Sequence, residues 1–331
     1  MSGRGLLRFV PGFAIAGLVA LAASWLAEHY GAPVMLFALL LGIAVNFLSQ
    51  DERCRPGLDL ASRSVLRVGV ALLGARITLA EVQSLGGSML ALTAAAVVLT
   101  ILCGTLLASA TRQSTGFGVL TGGSVGICGA SAALAIASVL PRNAELARDT
   151  VMTVVAVTAL STVAMVLYPL VASGFGLDEA TAGVYFGATI HDVAQVVGAG
   201  YSVSNVAGDT ATIVKLFRVA MLLPVVLAIS FIVQRRGVAT DGDQASPPLL
   251  PLFLIGFAAI AALNSAGWLP GAASSAMQDA SRWCLVIAIA ALGTKTSLGE
   301  LARVGWRPVA IIVGETVFVG LFVLGGLTLL H

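Results

Sequence analysis

The chain has 331 residues, of which 58% are hydrophobic and only 10% charged, with 37 glycines and a mean hydropathy of +0.99. A soluble domain carries about 25% charged residues, so too few charges exist here to cover a water-facing surface. The composition excludes a cytosolic enzyme and a disordered regulator, and a net charge of +2 is too small for nucleic-acid binding. Cys54, Cys103, Cys128 and Cys284 show no paired spacing and read as small apolar fillers, neither a disulfide framework nor a metal site. The predicted class is an all-α polytopic membrane protein forming one transmembrane domain over 1–331, with approximate halves at 30–172 and 173–331.

A bilayer core about 30 Å thick needs roughly 20 apolar residues per helix. About 11 transmembrane helices are predicted, at 9–28, 33–49, 59–79, 85–110, 116–140, 147–172, 180–201, 211–234, 248–265, 280–298 and 305–330. The first run extends from Phe9 to Ala27, long for a leader peptide, and is read as a helix. The loop Gln234 to Pro248 is too short for a domain. With the N-terminus inside (Arg4, Arg8), the loops carrying Arg53, Arg55 and Arg63, then Arg235 and Arg236, then Lys295, Arg303 and Arg307, all fall inside. Arg142 and Arg148 come out external and Asp178–Glu179 internal. Either the count errs locally or the helices around that loop are not simple spans. Short loops and compact length suggest the bacterial inner membrane.

Leu73-Gly74-Ala75-Arg76-Ile77-Thr78-Leu79-Ala80-Glu81 matches Leu292-Gly293-Thr294-Lys295-Thr296-Ser297-Leu298-Gly299-Glu300, with Gly86 and Gly305 aligned five places later. The copies lie seven crossings apart and so point in opposite directions. This is the pattern of an inverted repeat in a secondary transporter; the alternative is chance recurrence of a helix exit.

Two apolar segments are interrupted. In Thr121-Gly122-Gly123-Ser124-Val125-Gly126-Ile127-Cys128-Gly129-Ala130-Ser131, four glycines fall within eight residues. Each disfavours a continuous helix by roughly 1 kcal/mol relative to alanine. A break here is expected to start a half-helix near Gly129 to Ser131, whose free amides attract an anion, with Ser124 and Ser131 as added donors. The competing reading is close helix packing through the GxxxG spacing of Gly122 and Gly126. In the second segment, 187–200, the adjacent His191 and Asp192 are expensive in lipid unless they face a cavity or a partner. His191, Gln195 and Gly198 share a helical face, and a proton on His191 would couple transport to pH. The alternative is that both polar residues merely cap the interruption. Lys215 and Arg218, at i and i+3, supply positive charge to an anionic substrate, neutralise Asp192 and Asp209, or snorkel to an interface. Pro224 is expected to kink that same helix, and Asn46 and Asn264 to act as caps or interhelical bonds. Glu315 is a further intramembrane charge, expected to pair with a cation on a neighbouring helix that the sequence does not name. The two interrupted segments lie two crossings apart and should run parallel, so either they are not symmetry mates or one does not cross fully.

The motifs at 73–77, 122–132, 191–196, 215–218 and 292–295 together resemble the YeiH-type sulfate exporter family over nearly the whole chain. That family is distantly similar to the bile acid symporter and sodium/proton antiporter superfamily. The resemblance implies an inverted-repeat core with crossed, discontinuous helices. The resemblance and the residue reading agree on a small anion at glycine-rich helix starts near Arg or Lys. The candidate site residues from the residue reading are Gly122, Gly123, Ser124, Gly126, Cys128, Gly129, Ala130, Ser131, His191, Asp192, Gln195, Lys215 and Arg218. The expected function is export of sulfate, sulfite or a sulfonate by alternating access, with proton or sodium coupling and a homodimer as compatible features. No cofactor, metal or nucleic acid is expected, and no Walker A motif is present. The alternatives are a monovalent cation/proton antiporter and a membrane-embedded enzyme using His191 and Asp192.

Overall fold

The computed structural model describes residues 7–31, 33–141, 145–235, 251–296 and 306–330, and among them every regular element is helical. Arg4, Arg142, Arg236, most of the 234–248 loop, the 297–305 part of the second repeat copy, and Arg303 lie outside the described residues. Five helices, Val10–Tyr30, Gly86–Ala110, Leu146–Gly174, the run Asn205–Arg235 and Trp306–Leu330, are long and apolar enough to cross a membrane. The chain divides into two compact units. One comprises Met1–Ser84, Val197–Asp209 and Leu252–Ser297, the other Leu85–Val196, Thr210–Pro251 and Leu298–His331.

The first unit contains α1 (Val10–Tyr30), α2 (Val34–Ala44), the continuous helical run α3 (55–75), the short α4 (Leu79–Ser84), α13 (Leu252–Ser265) and α14 (Gly271–Lys295). Pro11 sits in the first turn of α1, where its missing N–H is no loss, and Gly31 ends the helix at φ 65°. The sequence repeat has a direct structural expression. Gly74 of α3 lies against the backbone of Phe257 and Ala261 in α13, and Gly293 of α14 lies against Leu39 and Gly42 in α2. At both places a Cβ would overlap a carbonyl oxygen, so only glycine allows the approach. The helix ends are matched too. Asn46 donates to the Thr294 and Thr296 carbonyls at 2.7 and 3.0 Å, and Asn264 donates to the Ile77 carbonyl at 3.3 Å. In the repeat alignment Thr296 corresponds to Ile77. Ser281 bonds to Gly69 O while Lys295 pairs with Asp59, so α3 and α14 run antiparallel, as an inverted repeat requires. Both asparagines act as the expected interhelical caps.

The second unit contains α5 (Gly86–Ala110), α6 (Thr115–Gly126), α7 (Ala130–Ala137), α8 (Leu146–Gly174), α9 (Glu179–Thr189), most of α11 (Asn205–Ala220), α12 (Leu222–Arg235) and α15 (Trp306–Leu330). The segment 116–140, read from sequence as one crossing, doubles back. A Cβ on Gly123 would collide with the tip of Ile136, thirteen residues on. In a straight helix those positions would be about 20 Å apart. Ser114, Gly116 and Phe117 at the entry also share a small cavity of about 150 Å³ with Leu140, Pro141 and Leu146 at the exit. The pair α6–α7 is therefore a re-entrant hairpin.

The second interrupted segment behaves likewise. Gly187 in α9 meets Ala211 and Val214 of α11, and Ile190 meets Lys215 and Arg218, so α9 and α11 run in the same direction. α10 (Val193–Val203) turns into α11 with Tyr201 against Gly208 and Asp209, and so runs the opposite way. Two hairpins that each return to their own side restore the charge rule. With each hairpin counted as a return, the Lys/Arg rule puts Arg148 and Arg235 on one side and Asp178–Glu179 on the other. α11 ends at Ala220 because Pro224 cannot donate back to that carbonyl, and α12 starts after the turn at Met221.

Candidate functional site

Each hairpin enters the bilayer with a side-chain N-cap. Ser114 accepts from the Phe117 N–H, and Asp178 accepts from the N–H groups of Ala180 and Thr181. After 12 residues, about 18 Å, α6 ends at mid-depth. Its glycines divide the labour. Gly118, Gly122 and Gly126 lie against α5 at Gly104, Thr100 and Val97, so this face is the close-packing surface that their spacing allows. The break falls only at Ile127, Cys128 and Gly129. Gly129 takes φ 63° and ψ −126°, a conformation that a side chain would strain. Packing and break thus coexist in one glycine-rich segment. The second hairpin stops at Ile190, which leaves the helix with extended backbone.

Helix ends inside lipid leave carbonyls without partners, each a loss of several kcal/mol. Lys215 and Arg218, both fully buried, supply those partners. Lys215 Nζ donates to Ile127 O at 2.7 Å and Ile190 O at 2.8 Å. Arg218 Nε donates to Gly126 O at 2.8 Å, Nη1 to Gly187 O and Ile190 O at 3.1 Å each, and Nη2 to Val125 O at 2.8 Å and to Gly126 O. A guanidinium has five N–H groups, and all five are engaged. Lys215 retains one. Positive charge here also complements the negative ends of two helix dipoles, α6 and α9. Of the roles open to this pair, the geometry shows stitching of the two breaks. Asp209, the other carboxylate considered for Lys215 and Arg218, is instead bonded to Arg76 at 2.8 Å and Tyr201 at 2.6 Å within the first unit.

Asp192 lies at the other side of the breaks. Its amide donates to Ser161 Oγ at 3.0 Å, and its carboxylate rests against Gly129 and the Ala130 amide at the start of α7. It is half-buried, and Ser131 beside it is exposed. His191 is fully buried, with Nε2 3.0 Å from Thr316 Oγ1. Gln195 donates to Thr162 Oγ1 at 3.4 Å. His191 Nδ1, Gln195 Oε1 and Glu315 Oε2 are buried without a partner among the described residues. Ser124 turns its hydroxyl to its own helix at Leu120 O, and Cys128 is a buried free thiol. Sequence reasoning missed Ser161, Thr162 and Thr316, which hold the second break. Their signal is hydroxyls inside otherwise apolar helices, common enough to carry little weight alone.

Residues 11–312 match the family model described as conserved hypothetical protein 698. The UPF0324 membrane protein CT0845 of Chlorobaculum tepidum is 55% identical over 319 residues, covering 96% of this chain and 89% of that protein. The UPF0324 membrane protein TauZ of Paracoccus denitrificans is 54% identical over 329 residues, 99% of this chain and 97% of the relative. A UPF0324 membrane protein of Caulobacter vibrioides is 37% identical, over 96% of this chain and 68% of the relative. No solved structure matches the chain. With a family model spanning most of its length and relatives above half identity end to end, this chain is a multi-pass membrane protein of the UPF0324 family, in keeping with its YeiH-type motifs.

Proposed function

We propose that the chain is a secondary transporter of a small anion, such as sulfate, sulfite or a sulfonate, working by alternating access. One observation carries this reading: the two helix breaks bring together two buried cations, Lys215 and Arg218, and a single carboxylate, Asp192, leaving a positive surplus at mid-depth. The start of α7 has no side-chain cap of its own, and its first turn reaches an accessible face at Ser131. Unpaired amides, a hydroxyl and a positive field are what an oxyanion binds. Arg218 acts by positioning in this scheme, since its donors are consumed, and the Ala130 amide is taken by Asp192, while the Ser131 amide, Ser131 Oγ and the third N–H of Lys215 face the ligand.

The experiment is flux into proteoliposomes holding the purified chain, with sulfite, sulfate, a simple alkanesulfonate or sodium imposed as gradients. Saturable anion flux, with a raised KM and unchanged unfolding temperature in Ser131→Ala, supports the proposal. Sodium-driven pH change without anion flux overturns it in favour of cation/proton antiport, the reading that the half-buried Asp192 carboxylate favours.

A further inference from the structure

Glu315 lies ten residues into the 25-residue α15, near the middle of a crossing, and is fully buried. Its Oε1 accepts from Thr121 Oγ1 at 2.7 Å and rests on Gly104 of α5, where any Cβ would overlap it. Its Oε2 has no partner, and no cation reaches it among the described residues. An ionised carboxylate in that setting is strongly disfavoured, and such groups neutralise unless charge is supplied. The glycine opposite it makes room for the carboxyl group rather than for a counter-ion. The next residue, Thr316, is the one that meets His191. Adjacent positions on α15 thus touch both hairpins, one through α6 and one at the second break.

We infer that Glu315 is a proton-binding site that links protonation to the state of the re-entrant hairpins. In the neutral form the carboxyl O–H donates to Thr121 Oγ1, and the Thr121 hydroxyl turns to Phe117 O, which lies 3.1 Å away. Loss of the proton to water reverses this: the Thr121 hydroxyl donates to the carboxylate and leaves Phe117 O. One proton binds or leaves, the Thr121 hydroxyl changes its hydrogen-bond partner, and no other covalent bond changes. The groups facing this site are few. Cys103 neighbours it on α5, and Thr121 on α6. Tyr168 on α8 and Tyr185 on α9 stand farther along α15 at Gly320, and His191 meets it through Thr316. His191 shares its break with Lys215 and Arg218, so a third positive charge there meets like-charge repulsion. Protonating Glu315 instead removes a charge from the membrane interior.

The inference rests on the transport reading for its consequence, though not for its chemistry, and the test separates the two. Infrared difference spectra of the purified protein between acid and alkaline buffer should show a protonated carboxyl band that Glu315→Gln, a near-isostere of the neutral acid, removes. In proteoliposomes, anion uptake by the wild type should change about tenfold per pH unit on the limb where one proton binds, and Glu315→Gln should be flat. Thr121→Val should shift the band and retain it, which covers the case in which Glu315→Gln fails to fold. An unchanged band in Glu315→Gln, or a wild-type pH profile in that variant, overturns the proton site. The band lost as expected in a protein that moves no anion overturns the transport reading and leaves the proton site standing.

Discussion

Both units must satisfy helix C-terminal carbonyls away from water, and they do it differently. In the first unit a neutral amide closes each end: Asn46 over Thr294 and Thr296, Asn264 over Ile77. In the second, two cations close two ends at once, with Lys215 and Arg218 spread over carbonyls of Val125, Gly126, Ile127, Gly187 and Ile190. An amide offers two N–H groups and no charge, enough for one joint between packed helices. A guanidinium and an ammonium offer eight N–H groups and also answer two dipole ends, but they bring charge into the bilayer that something must balance. A neutral joint makes scaffold; a charged one makes a place where a small ion changes the energy.

The sharpest way to break this contrast is Arg218→Ala. It strands carbonyls on both hairpins and should destabilise by about 3–5 kcal/mol, read as a large fall in unfolding temperature in detergent. Arg218→Lys should recover little of it, because three donors replace five. An Arg218→Ala protein of normal stability with weakened anion binding would return Arg218 to the role of direct ligand. Next come the repeat glycines. Gly293→Ala and Gly74→Ala should each lose about 1–3 kcal/mol through overpacking, and similar losses at the two positions would sharpen the case for one repeated joint. Smaller again, Asn46→Ala should lose about 1–2 kcal/mol and Asn264→Ala less, since Asn46 makes two bonds and Asn264 a single longer one. The smallest effect is expected at Gly17 in α1, which has open space where a Cβ would go. Gly17→Ala should gain up to about 1 kcal/mol, opposite in sign to Gly293→Ala, and equal losses at both would undo the packing argument.

Much of this was legible beforehand. The two interruptions, the repeat, the asparagine caps and the Pro224 discontinuity follow from residue type and spacing alone. The hairpins were legible only as a contradiction: Arg142 and Arg148 on the wrong side of an eleven-crossing count, and two parallel segments where a crossed pair was expected. Hydropathy measures length and apolarity, and a 25-residue segment that turns at its middle scores the same as one that crosses. The partners of Lys215 and Arg218 were not legible, because backbone carbonyls carry no residue-type signal.

Composition determined that this chain lives in a membrane as helices, since so few charges leave no other way to satisfy the backbone. Local chemistry determined where those helices stop, at Gly129, at the His191–Asp192 pair and before Pro224. Tertiary structure alone decided that both interrupted helices fold back, that Lys215 and Arg218 spend their donors on the backbone, and that Glu315 faces Gly104 and Thr121. Those outcomes depend on which helix ends meet across tens to hundreds of residues, and pairing at that separation is fixed by packing and charge complementarity in three dimensions.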